Sequence, residues 1–194
     1  RLGSGSAPRS LLGGFVEMQA GVRDDGADAV PVQLLREGAW PLAVLVAVTA
    51  LGRKEVGSTF GMELSAQTSP FYRPWLSSVA DDLEAARAAL GERDVQRLGE
   101  VAEHNCLKMH AVALAAQPGL IYWNAATVEV IHVVRSLRVH GGSPFFTIDA
   151  GPQVKVFCRP EEATGVSEAL AKTPGVHEVL HVGVGEAAHI VEAH

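Results

Sequence analysis

Apolar positions change their spacing along this chain, and the changes mark its elements. From Trp75 onward, Trp75, Leu76, Val79, Leu83, Ala86 and Leu90 recur at helical spacing, with Asp81, Asp82 and Glu84 on the opposite side. Pro70 and Pro74 fall at or before the first turn, where proline is tolerated. Asp94 is placed to cap a second helix, with Leu98, Val101, Ala102, Asn105, Met109 and Val112 on one face and Pro118-Gly119 ending it. A third helix is predicted from Asn124–Thr127, carrying Val130, Ile131, Val134 and Leu137 and closing at Gly141-Gly142.

Around this helical stretch the pattern is that of strands. Phe15–Met18 and Val30–Leu35 are short strand candidates separated by the charged turn Arg23–Asp28. Leu42–Ala50 is a continuous Val- and Leu-rich run, the mark of a strand buried on both faces. Phe145–Ile148 and Val154–Phe157 flank the turn Asp149-Ala150-Gly151-Pro152. Glu161–Lys172 is predicted helical. Val176–Val184 is a strand with Val176, Val179 and Leu180 inside, and Ala188–Val191 is a last strand candidate. The segment after Arg53, through Pro70, has no clear period and is expected to be loop with at most one helical turn. Segregated helices and strands indicate an α+β fold.

Composition narrows the partners. The net charge is −6 over 194 residues, which argues against nucleic acid or an anionic membrane as the main partner. The uncharged stretch Gly38–Gly52 contains Pro41 and is too short to span a bilayer, which takes about 20 residues. Cys106 and Cys158 cannot build a disulfide framework, so a reducing, cytoplasmic setting is expected. No signal-peptide pattern is visible, and the first residue is Arg1 rather than Met, which raises the expectation of a portion of something longer.

Candidate chemistry falls in three segments. Gly3-Ser4-Gly5-Ser6-Ala7-Pro8-Arg9-Ser10 combines small residues and hydroxyls that admit an anion with an arginine fork suited to carboxylate or phosphate, although such a run also suits a plain turn or linker. Asp149, at the end of an apolar strand, is expected to be partly dry. Facing a cation it would accept a proton from a substrate hydroxyl; its alternative is a turn aspartate bonding its own backbone. Ser58 and Thr59, beside Gly57 and Gly61, are either phosphate contacts or helix-capping residues. The eight histidines form no HExxH and have no Cys-x-x-Cys beside them, so no metal site is assigned. Both cysteines are taken as structural, and Glu100 and Glu103 as a solvated helix face.

Five blocks, in order, carry a resemblance. They are Gly3-Ser4-Gly5-Ser6-Ala7-Pro8-Arg9-Ser10-Leu11 with Gly13-Gly14-Phe15-Val16-Glu17; Ser58-Thr59-Phe60-Gly61-Met62; Thr68-Ser69-Pro70-Phe71-Tyr72 with Trp75; Asn105-Cys106-Leu107-Lys108-Met109-His110-Ala111; and Phe146-Thr147-Ile148-Asp149-Ala150-Gly151-Pro152. With these the chain resembles the mevalonate diphosphate decarboxylase family, within the superfamily of galactokinase, homoserine kinase and mevalonate kinase. Pro8, Met18 and Gln153 depart from the residues common in that family.

The resemblance implies a two-part architecture. Residues 1–53 would be the later part of a ribosomal-protein-S5-like N-terminal domain, and 54–194 a helix-rich, ferredoxin-like C-terminal domain. Leu42–Ala50 would then be a central strand with some sheet neighbours missing. It also implies ATP-dependent decarboxylation of mevalonate 5-diphosphate to isopentenyl diphosphate, with ATP and Mg2+ as cofactors and a homodimer. Asp149 would be the catalytic carboxylate. Arg9 would hold the substrate carboxylate and keep Asp149 ionised; Ser4, Gly5, Ser6, Ala7 and Pro8 would line the substrate; Ser58 and Thr59 would touch its diphosphate. The family's lysine-containing substrate segment and phosphate loop are absent from the sequence, so this portion alone is expected to be inactive. A decarboxylase or 3-kinase acting on mevalonate 5-phosphate or mevalonate is the related alternative, and a non-catalytic binding module the alternative of another class.

Overall fold

The computed structural model describes residues 7–52 and 56–190. The chain divides into two compact units, Arg1–Leu42 with Gly183–His194, and Ala43–Val182.

In the first unit, β1 (Phe15–Met18) and β2 (Pro31–Leu35) form an antiparallel pair after a 3₁₀ turn at Ala7–Leu11. Gly14 enters β1 at φ +77°, and a Cβ there would sit 2.1 Å from the Leu35 carbonyl, so only glycine fits. Phe15 stacks on Trp40 at 5.8 Å. The tail joins this unit through Gly14 N–H to Gly185 O and Ala188 N–H to Leu11 O. No strand forms over 188–190, and Val191 lies outside the described residues.

The second unit runs β3 (Ala43–Val48), α1 (Ser58–Thr68), α2 (Tyr72–Glu92), α3 (Val95–Leu114), α4 (Ala125–Val139), β4 (Phe145–Thr147), β5 (Val154–Cys158), α5 (Ala163–Ala171) and β6 (Glu178–Val182). Its sheet is antiparallel throughout, in the order β4-β5-β3-β6. The α+β class expected from the pattern is what forms. The apolar run becomes β3, but its partners are not missing: β5 and β6 flank it within this chain. That pairing draws β3 into the second compact unit, which begins at Ala43.

Local chemistry explains the helices. Asp94 caps α3, accepting from the Gln96 and Arg97 amides at 3.0 Å, worth about 1 kcal/mol. Asn124 and Thr127 form a capping box at the start of α4. Arg93 takes the left-handed conformation between α2 and α3, which then pack together. One correction concerns 58–68, expected to be loop, which is helix α1. Its buried residues are Gly61 and Ser65, too small to write an apolar stripe. A Cβ on Gly61 would strike the Tyr122 hydroxyl, so close approach does the work of side-chain packing there. A second correction concerns Leu180, which is exposed because it lies on the open face of the edge strand β6.

The core gathers Leu45, Ala47, Phe146, Val154, Val156 and Cys158 from the sheet with Val130, Val134, Val166 and Leu170 from α4 and α5. Burial alternates residue by residue along β5, which turns Lys155 and Phe157 to the other face. Among the described residues no helix is long and apolar enough to cross a membrane.

Candidate functional site

Phe145, Phe146 and Ile148 are almost wholly buried and anchor the end of β4. The next residue, Asp149, turns outward, and the Gly151 amide closes the turn on the Asp149 carbonyl at 2.7 Å. The carboxylate is not the partly dry group expected from its apolar strand. Its side chain is 82% exposed, because the turn lifts it off the sheet. The cation facing it is Lys155 of β5, with Nζ 2.6 Å from Oδ2. Lys155 stands opposite Thr147 in the β4–β5 register, which brings its ammonium to the strand end.

Beside this pair lies an open depression of ≈ 350 Å³ lined by Ala50–Gly52, Asp149–Gln153 and Lys155. Its floor is held by amide and hydroxyl bonds. Gln153 Oε1 accepts from the Thr49 amide at 2.6 Å, and Gln153 Nε2 donates to the Ala50 carbonyl at 2.7 Å. Thr49 Oγ1 and Thr127 Oγ1 both donate to the Pro152 carbonyl at 2.7 Å. Gln153, a departure from the family pattern, therefore clamps the turn to the end of β3.

Behind the strand end, α3 presents three buried polar side chains to β4. Glu103 Oε1 accepts from the Phe146 amide at 3.1 Å, and Cys106 Sγ accepts from the Ile148 amide at 3.2 Å. His110 Nε2 donates to the Ile148 carbonyl at 3.1 Å. Burial pushes the His110 imidazole below its ordinary range, so it is neutral, and pushes the Cys106 thiol up. Glu103, expected on a solvated face, is buried because Arg138 of α4 grips both of its oxygens. Asp82 is likewise drawn in. Burial opposes its charge, but Lys108 and Asn105 outweigh that and hold the carboxyl below its usual range.

The other expected site residues fall as follows. Ser58 and Thr59 open α1 and are exposed, with Gly57 as the N-cap, so neither hydroxyl is the cap. Ala7, Pro8 and Arg9 lie in the 3₁₀ turn of the first unit, with Arg9 exposed. Ser4, Gly5 and Ser6 lie outside the described residues. Sequence reasoning missed Lys155, Glu103, Cys106 and His110 as parts of this site. The 103, 106, 110 spacing on one helix face was the available signal.

A larger cavity of ≈ 720 Å³ lies elsewhere in the same unit, at the start of β4, between the first turns of α3 and the end of α4. Arg135, Arg138, Arg159, Glu100 and Glu103 are among its lining residues. Volume does not make it the chemical centre: Glu103 and Arg138 are already paired with each other there, and Asp149 lies outside it.

Fold and site together define an α+β domain that presents a lysine-paired carboxylate from the end of an edge strand. The chain belongs to the mevalonate 5-diphosphate decarboxylase C-terminal domain family, whose model matches residues 44–188. It is 39% identical over 161 residues to the diphosphomevalonate decarboxylase of Homo sapiens, an alignment covering 81% of this chain and 40% of that protein. It superposes on the crystal structure of mevalonate diphosphate decarboxylase from Staphylococcus aureus with a TM-score of 0.90 at 34% identity, covering 99% of this chain and 58% of that one. A second similar structure, MDDEF in complex with MVAPP, AMPPCP and magnesium, gives a TM-score of 0.85 at 32% identity, covering 95% and 56%. The chain thus spans well under two thirds of the length of these relatives.

Proposed function

We propose that this chain is the later portion of an ATP-dependent decarboxylase that converts mevalonate 5-diphosphate to isopentenyl diphosphate. The observation that carries the reading is Asp149. It stands exposed at a fixed strand end, paired with Lys155, in the FTIDAGP block of a chain that belongs to this family.

In this reading Asp149 orients the substrate's tertiary 3-hydroxyl and takes its proton as the oxygen attacks the terminal phosphorus of ATP, whose bond to the bridging oxygen breaks and releases ADP. The 3-phosphate then leaves with its bonding pair. The bond to the carboxylate breaks, its electrons form the new double bond, and carbon dioxide departs. Asp149 passes that proton to solvent, and its carboxylate then stabilises the positive charge growing on the tertiary carbon. Arg9 holds the substrate carboxylate. Ser4, Gly5, Ser6, Ala7 and Pro8 line the substrate, and Ser58 and Thr59 contact the diphosphate. The exposed start of α1 supports that last role, since its unpaired amides favour an anion. Lys155 balances the charge of Asp149 between the two steps.

A β-α-β-β-α-β order with the four helices α1–α4 in the first crossover supports a ferredoxin-like reading of the second unit. Residues before it would complete a ribosomal-protein-S5-like domain. ATP and Mg2+ fit the ligands of the related complex. Among the described residues no three His, Cys, Asp or Glu side chains converge, so the cation would be held by the nucleotide and by other parts of the enzyme. A cytoplasmic homodimer completes the proposal.

The test is product formation by the full-length protein with ATP, offered mevalonate 5-phosphate and mevalonate 5-diphosphate in parallel. Isopentenyl diphosphate from the diphosphate, lost in Asp149→Asn, is expected. Wild-type turnover by Asp149→Asn would overturn the assignment.

A further inference from the structure

We infer that Cys106 and His110, with Glu103, are positioning residues that set the place of Asp149 by taking the outer hydrogen bonds of β4. The inference rests on the reading of Asp149 as the reacting carboxylate.

β4 is a three-residue strand at the edge of the sheet, with β5 on its inner side only. Its outward amides and carbonyl would ordinarily meet water or another strand. Here three side chains from one face of α3 take that place. Glu103 receives the Phe146 amide, Cys106 receives the Ile148 amide, and His110 donates to the Ile148 carbonyl. Both backbone groups of Ile148 are therefore held by side chains, one residue before Asp149. A carbonyl only accepts, so Nε2 carries the imidazole proton.

These side chains are costly to place. Glu103, Cys106 and His110 are each at least nine-tenths buried. A polar group taken from water is tolerated when it is bonded. Apolar residues would seal the core but could not fix the strand end. The imidazole is itself oriented, with Trp123 at 4.7 Å and Tyr122 at 6.1 Å between ring centres. Gly99, four residues before Glu103, lets α3 approach closely: a Cβ there would lie 2.7 Å from that of Phe145.

On the far side of Asp149, Gln153, Thr49 and Thr127 hold the turn. The carboxylate is thus free to meet a ligand while the backbone on both sides of it is fixed. A shift of the order of 1 Å at a reacting group costs about 100-fold in rate, so such bracing bears directly on turnover.

The experiment uses the full-length protein with mevalonate 5-diphosphate and ATP. His110→Phe keeps a planar ring and loses the donor. It is expected to lower kcat by about tenfold or more with both KM values little changed, and to speed hydrogen exchange at the Ile148 amide. His110→Gln retains a donor and is expected to recover most of the rate. If His110→Phe does not fold, Cys106→Ala removes only the thiol and is read in the same way. Wild-type kcat in a folded variant, or a loss confined to KM, overturns the inference while leaving the assignment of Asp149 intact. Full activity in Asp149→Asn overturns the functional reading instead, and this inference with it.

Discussion

Asp149 and Lys155 meet at 2.6 Å with opposite degrees of exposure: the carboxylate side chain is 82% exposed and the lysine 28%. The pair is therefore a buried-stem cation held under a solvent-facing acid. An ion pair with one partner this exposed adds little to folding. Lys155→Met is expected to change the unfolding free energy by less than about 1 kcal/mol while lowering kcat by about tenfold, through loss of the charge facing Asp149. Denaturant unfolding and steady-state turnover on the same preparation check both halves. A large stability loss with normal turnover would reassign Lys155 to the scaffold.

His110 predicts a pH dependence. Burial lowers its native pKa below the unfolded value near 6.5, so the unfolded chain binds a proton that the folded one refuses. Stability from this group is full above about pH 6.5 and falls as the pH drops toward the native pKa. The wild type should lose unfolding free energy between neutral and mildly acidic pH, and His110→Gln should flatten that slope. Equal slopes in the two proteins would exclude His110 as the source.

Both cysteines should resist alkylation. Burial pushes Cys158 up to about 11, with Glu162 and Glu161 adding to the shift, and raises Cys106 as well. The thiolate is the reactive form, so iodoacetamide labelling at neutral pH should be at least about a hundredfold slower in the native protein than in urea. A rapid native phase would show that one of the two sites opens.

Gly99→Ala should destabilise the protein despite alanine's advantage of about 1 kcal/mol within a helix. The new Cβ would lie 2.7 Å from the Cβ and 2.9 Å from the Cγ of Phe145, on β4. Overpacking of this kind costs about 1–3 kcal/mol, so a net loss in the urea midpoint is expected. A midpoint at or above wild type would mean that Phe145 yields.

Elements with a strong period were legible in the sequence, and pairings between distant segments were not. The stripe from Trp75 to Leu90 and the caps at Asp94 and Asn124 read directly as α2, α3 and α4. Helix α1 escaped because it buries only glycine and serine. The run at β3 read as a buried strand, but its partners lie more than a hundred residues away, and no local pattern names them. Asp149 was visible as a turn carboxylate after an apolar strand. Its exposure was not, because it depends on the turn at Gly151. The roles of Cys106 and His110 needed the strand that they hold: one cysteine and one histidine on a helix look like ordinary core until the Ile148 backbone is set against them.

The bonds from α3 to β4 also decide where this sheet can grow. A chain seeking to add a strand beside β4 would find the Phe146 amide and both backbone groups of Ile148 already taken by Glu103, Cys106 and His110. The opposite edge is β6, whose side chains are mostly exposed and include Leu180 and Val182. Any pairing with a further strand, whether in assembly or in misfolding, is thereby directed to one side of the sheet, away from the end of β4 that carries the carboxylate.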